Sequence, residues 1–335
     1  MKNMNREKWL KGIKLTAAAV CAIVAANLLG LKFSATAGII TILSIQNTKK
    51  ETMRVACRRG LAFLCALCLA AVSFGILGFT IAGFAFYLLC FSCICLCFGW
   101  TEAIAMDSVL ITHFLTEGNM NTGLLNNEFG LFLLGTGMGI LANLHLHKKT
   151  ELFDQLAERA DRKMRDALNC LRRRMMVRDE KEQNLTNETI RNLKELESEL
   201  VLLKDCAYQN WNNTFFRISV YEVEYARMRE RQAEVLRHIQ ASVEMAQSMP
   251  RQAERIAGLI GKIEAEYDRD NTVETLLEEL QQVFEKMRQE PLPEKREEFE
   301  ARAVLFYLLK QLEEFLELKR NFVKGMESGW GTAGE

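Results

Sequence analysis

Six apolar runs, each fourteen to twenty residues long, lie between Leu15 and Leu146 and limit what this chain can fold into: 15–31, 33–46, 60–78, 79–98, 100–115 and 129–146. About twenty apolar residues in a helix cross a hydrocarbon core of roughly 30 Å, and hydrocarbon leaves a chain only helices or closed barrels. The three prolines, Pro250, Pro291 and Pro293, all lie outside these runs, and no stretch alternates as a strand would. The expected fold is all-α. A six-helix integral membrane domain over 1–147 is followed by a cytoplasmic antiparallel helical bundle over 148–327 and a disordered tail over 328–335.

Averages conceal this division, since the net charge is +0 and the mean hydropathy −0.04. Residues 1–147 hold eleven Lys and Arg against six acids, and the remainder 32 against 37. The basic residues are also placed asymmetrically. Segments 1–14 and 47–59 carry five each, whereas Lys32 is the one base assigned to the outer side. Basic loops stay cytoplasmic, so both termini are expected inside, with His147, Lys148 and Lys149 closing the last span there. The run 33–46 has the length of a re-entrant segment, but unless it crosses, the basic loop after it would face outward. A cleaved signal peptide is the competing reading of the N-terminus, and the spans that follow argue against it.

Ionisable residues inside such runs are expensive, about 3 kcal/mol each at the bilayer centre, and usually serve a transport path. Asp107 and His113 sit in the fifth run, and Glu128 borders the sixth. At about 100° per residue, Asp107 and His113 point to different faces, whereas His113 and Glu117 share one and could pair. Asn127 and Glu128 are expected to cap the sixth span. Arg58 and Arg59 open the third span, where they could anchor at headgroups, neutralise a carboxylate such as Asp107, or hold an anionic substrate. Gly135 and Gly139 form a small-xxx-small pair read as helix packing. The ten cysteines mostly lie in apolar runs and are read as small hydrophobes, with no metal or cofactor expected.

From Lys148 the chain reads as amphipathic helices. Phe153, Leu156, Ala160, Met164, Ala167 and Leu171 stripe a helix expected to run on from the sixth span. Thr186 or Asn187 is expected to cap the next, and two heptad lines follow, from Leu193 to Ala207 and from Ile218 to Met249. Further helices are expected over 251–267, 273–287 and 294–323, making a bundle with coiled-coil-like spacing. Trp211, Phe215, Phe216, Tyr221 and Tyr225 read as core packing rather than a ligand sensor. No phosphate loop, nucleophile with its base or nucleic-acid motif is present, so neither an enzyme nor an ATP-driven pump is expected from this chain.

The runs SATAGIITILSIQNTKKETMRVACRRG, SVLITHFL and NNEFGLFLLGTGMGILANL resemble the bacterial aromatic acid exporter family, within the wider group of fusaric-acid-resistance-like membrane proteins. The resemblance implies a multi-pass protein of the bacterial inner membrane that exports aromatic carboxylic acids or similar organic anions, driven by protons. The polar positions it brings forward are Gln46, Thr48, Arg59, Gly60, His113, Asn127, Glu128 and Asn143. Asp107 and His113 are then the expected proton-linked groups, Arg58 or Arg59 the anion contact, and Gln46 and Asn143 polar lining. Six spans are half of a common two-repeat transporter plan, so a homodimer or higher homo-oligomer is expected to supply the second half. The rival expectation is a non-transporting membrane scaffold or sensor whose bundle binds a cytoplasmic partner.

Overall fold

In the computed structural model, residues 2–144, 149–176, 182–214, 220–245, 252–266 and 273–328 are described, and among them every regular element is an α-helix. The chain separates into two compact units, residues 1–147 with 212–215 and residues 148–211 with 216–335.

The first unit contains α1 (Lys2–Leu28), α2 (Ser34–Ser44), α3 (Lys49–Leu77), α4 (Ile81–Phe98), α5 (Thr101–Glu117) and α6 (Thr122–Leu144). Three of these, α3, α4 and α6, are long and apolar enough to cross a membrane, while Gly12–Leu28 of α1 and the whole of α2 are shorter apolar stretches. The surface is inverted relative to a water-soluble protein. Val72, Ile76, Leu89, Leu96 and Leu133 face outward, while Arg59, Asp107, Asn127 and Glu128 are buried. Apolar surface of that extent needs an apolar solvent.

Three helices start earlier than their apolar runs, α1 already at Lys2. Thr48 caps α3, its Oγ1 accepting from Glu51 N at 3.3 Å, so the helix begins at the basic segment rather than at Gly60. Asn121 caps α6, its Oδ1 accepting from Leu124 N at 2.8 Å. The stretch between the runs 100–115 and 129–146 is therefore mostly helical, with a loop over 118–121 alone, and Asn127 and Glu128 lie within the helix instead of capping it.

Short α2, about 16 Å long at 1.5 Å per residue, packs between α1 and α6. Hydrocarbon gives helices no hydrophobic reason to associate, so close backbone contact must do so. Glycine permits it here. A Cβ on Gly38 would lie 2.7 Å from Ile23, one on Gly135 2.6 Å from Ile40 Cβ, and one on Gly139 2.6 Å from Ser44 Cβ. Thr41 Oγ1 donates across this contact to Gly135 O at 3.0 Å. The chain enters α2 through Phe33 in the left-handed region, with φ 59° and ψ 36°. That conformation costs a side-chain-bearing residue roughly 1–2 kcal/mol.

The second unit contains α7 (Thr150–Met176), α8 (Glu182–Asn212), α9 (Tyr221–Met245), α10 (Ala253–Ala265), α11 (Glu274–Arg288) and α12 (Arg296–Glu327). Helix α7 is a new element rather than a continuation of α6. Lys149 is non-helical because Asn210 reads its backbone, with Lys149 N donating to Oδ1 at 2.7 Å and Nδ2 donating to Lys149 O at 3.3 Å. The α7 stripe is buried against leucines of α8 and apolar residues of α9, α10 and α12. Thr186 and Asn187 fall inside α8 instead of capping it, and Thr186 Oγ1 accepts from Arg174 Nε at 3.4 Å. Phe215, Phe216, Ile218, Met249, Pro250 and the tail from 329 lie outside the described residues.

One polar network crosses this core. Tyr225 Oη donates to Asp161 Oδ2 at 2.6 Å, and fully buried Arg229 pairs with Asp161 Oδ1 at 2.9 Å. Arg229 also donates to Gln232 Oε1 at 2.8 Å, whose Nε2 donates to Phe315 O at 2.8 Å, joining α7, α9 and α12. Burial pushes the Tyr225 phenol up to about 12, with Arg229 opposing and Asp161 adding to the rise.

Two predictions follow from these contacts. Gly135→Ala forces α2 and α6 apart, an overpacking cost of about 1–3 kcal/mol, and lowers the melting temperature of the detergent-solubilised protein. Gly137→Ala, with nothing within 4 Å of the added Cβ, leaves it unchanged. In the bundle, native Tyr225 keeps its proton above the unfolded value near 10, so unfolding releases a proton between pH 10 and about 12 and rising pH weakens the fold. Tyr225→Phe is less stable than wild type at pH 7 because it loses the bond to Asp161, and chemical denaturation shows the gap narrowing above pH 10.

Candidate functional site

Two buried polar groups in the first unit are built on α5, six residues apart and so about 9 Å along the helix. They do not form one dyad.

The first surrounds Asp107, which is fully buried, with both carboxyl oxygens lacking a hydrogen-bond partner. Tyr87 from α4 and Ser108, whose hydroxyls face one another, are buried beside it. Arg59 comes from α3, within electrostatic reach of Asp107 and Glu102. Its guanidinium donates instead to the end of α2, to Leu43 O at 2.8 Å and Ser44 Oγ at 3.4 Å, and Nε has no partner. A cation there answers the negative end of the α2 dipole. Thus an arginine and an aspartate lie in one apolar interior without a direct bond. Buried polar groups left this way cost about 1–3 kcal/mol each, more when charged. Arg58, one position earlier, faces outward.

The second group is fully bonded. His113 Nδ1 is hydrogen-bonded to Glu128 Oε2 at 2.7 Å, and Thr36 Oγ1 lies 3.3 Å from His113 Nε2. Asn127 Nδ2 donates to Glu128 Oε1 at 3.0 Å and to Lys32 O at 3.2 Å, while Lys32 N donates to Asn127 Oδ1 at 2.7 Å. The ring of Phe33 stacks on His113, centroids 4.0 Å apart and planes 9° apart. Glu117 does not pair with His113. It turns to Lys32 Nζ at 3.0 Å, because α6 begins early enough to carry Glu128 alongside the imidazole.

The other sequence candidates lie at the opposite end of α2. Asn143 Nδ2 donates to Gln46 O at 2.7 Å and Thr52 Oγ1 at 2.5 Å, tying α6 to the segment between α2 and α3. The Gln46 side chain donates to Leu43 O at 3.3 Å, the carbonyl that also receives Arg59. Tyr87, Ser108, Thr36, Phe33 and Thr52 were not singled out from the sequence. Only Tyr87, the single tyrosine among the apolar runs, carried a usable signal there. A hollow of about 760 Å³ along α1, lined by Trp9, Ile13, Thr16 and Val20, contains neither Asp107 nor His113.

Residues 9–146 match the profile described as aromatic acid exporter family member 1, and residues 151–320 that of the aromatic acid exporter C-terminal domain. The chain is similar to the uncharacterized protein YqjA of Bacillus subtilis (strain 168), with 28% identity over 316 residues, 94% of this chain and 96% of that protein. It is also similar to a membrane protein from Clostridium difficile 630 of known crystal structure, at 25% identity over 51% of this chain and 98% of that one, with a TM-score of 0.43. With profiles of one family matching from residue 9 to residue 320, the chain belongs to the aromatic acid exporter family.

Proposed function

We propose that this chain is a secondary exporter of aromatic carboxylates or related organic anions, driven by protons across a bacterial inner membrane. The first unit crosses the bilayer six times, short α2 making its crossing together with the non-helical segments that flank it, both termini and the helical bundle face the cytoplasm, and a homo-oligomer supplies the second half of the carrier. The observation that carries this reading is the buried Asp107 carboxyl with both oxygens unpartnered, in reach of Arg59 and not bonded to it.

The chemistry follows from that gap. When Asp107 holds a proton, Arg59 is the uncompensated cation of the interior and takes the substrate carboxylate as a charge-assisted pair. Proton loss to the cytoplasm leaves an Asp107 carboxylate that competes with the substrate for Arg59. After reorientation this favours release outside, and the next proton arrives from that side through the His113–Glu128 pair. One proton enters for each anion that leaves. The basic segments 1–14 and 47–59 concentrate anions at the inner mouth.

The scaffold reading draws on the 760 Å³ hollow along α1, which contains neither Asp107 nor His113. A closed interior is equally what an alternating carrier passes through between its open states, so the transport reading stands as the conclusion.

Efflux of labelled benzoate from loaded cells tests it. Wild-type efflux exceeds the empty-vector level and collapses with an uncoupler. Asp107→Asn lowers net efflux to the empty-vector level while the protein stays folded and in the membrane, and exchange of internal labelled for external unlabelled benzoate continues because Arg59 remains free. Unchanged net efflux in Asp107→Asn removes Asp107 from the mechanism.

A further inference from the structure

The stack of Phe33 on His113 has three features that ordinary core packing does not need. First, its platform is fixed from behind. His113 is buried, Glu128 holds Nδ1 at 2.7 Å, and Thr36 lies at the other nitrogen, so the imidazole cannot turn. Second, the ring covering that platform is only partly buried and comes from a short loop, on a backbone in the left-handed region. Third, the adjoining residue is an exposed lysine. The Lys32 side chain is 61% exposed and reaches Glu117 at 3.0 Å, while its backbone is clamped on both sides by Asn127.

A fixed flat imidazole, a cation beside it, and a removable aromatic side chain lying on it describe a site for a molecule with an aromatic ring and a carboxylate. We propose that the Phe33–His113 stack is a substrate subsite occupied by the chain itself: an aromatic carboxylate displaces the Phe33 ring from His113 and takes Lys32 from Glu117. This deepens the transport reading and rests on its assignment of the α1–α2 loop to the outer side. It also gives Phe33 a task. An exporter must let go of its substrate outside, and a tethered ring that competes for the platform keeps the exit site weak. Export then ends with Phe33 returning to His113. The groups facing the site are Lys32 from the loop, His113 and Glu117 from α5, and Glu128 from α6.

Equilibrium binding of benzoate, and of ring-less hexanoate as control, to the full chain in nanodiscs tests the subsite. Phe33→Leu keeps an apolar side chain but removes the competing ring, and is expected to bind benzoate about tenfold more tightly, with hexanoate unchanged. Phe33→Tyr restores the ring and the wild-type affinity. Lys32→Gln, at an exposed position, weakens benzoate binding about fivefold. Equal or weaker benzoate binding in Phe33→Leu, a parallel gain for hexanoate, or no benzoate binding by any variant overturns the subsite. If export of benzoate stands while the Phe33→Leu affinity does not move, the subsite alone falls. If Phe33→Leu binds benzoate more tightly but cells export none, the subsite stands and the transport reading falls.

Discussion

Hydrocarbon offers no hydrogen bonds, and the first unit is arranged around that fact. Its polar side chains cannot turn to solvent, so each must find a partner within the helices or be retained for something that arrives. Helix α2 makes most of the partnering possible. Gly38, Gly135 and Gly139 let α1 and α6 approach its backbone closely. The approach brings Thr36 to His113 and the last carbonyls of α2 to Arg59. Without those contacts two cations or bases would be stranded in apolar surroundings.

The two polar groups on α5 therefore differ in kind. Around His113 each oxygen of Glu128 and each nitrogen of the imidazole has a partner, and the result is a rigid plate. Around Asp107 both carboxyl oxygens and Arg59 Nε are open. A satisfied network specifies geometry, whereas an unsatisfied one carries the cost of its unpaired groups. In the proposed cycle the first group passes protons from a fixed position, and the second exchanges partners at each turn. The surroundings of the second group also explain why Arg59, not Arg58, has its guanidinium inside: the α2 C-terminus needs a donor and Asp107 a nearby opposite charge.

Periodicity made the helices legible, and their ends less so. The α7 stripe from Phe153 to Leu171 is buried as its spacing implies, since a soluble amphipathic helix announces its inner face. In the membrane unit the outside is apolar too, so hydrophobicity marks a run but not a face. For the same reason it could not show that α3 starts at Lys49 or α6 at Thr122, where single capping side chains, Thr48 and Asn121, decide. Asp107, His113 and Glu128 stood out because charge is rare in such runs. Their partners did not, because pairing His113 with Glu128 rather than with Glu117 depends on the approach of α6, which no local spacing encodes. Tyr87, Ser108 and Phe33 are ordinary residues until the fold places them beside Asp107 or His113.

The claim on which the rest turns is that Asp107 couples proton movement to anion movement. Purified protein in liposomes loaded with benzoate and a pH-sensitive dye measures it directly. As benzoate leaves down its gradient, the lumen should acidify in step, at one proton per anion, and Asp107→Asn should abolish that acidification while still exchanging benzoate for benzoate. Benzoate efflux by the wild-type protein without any change in internal pH would contradict the coupling and leave Asp107 as a structural group.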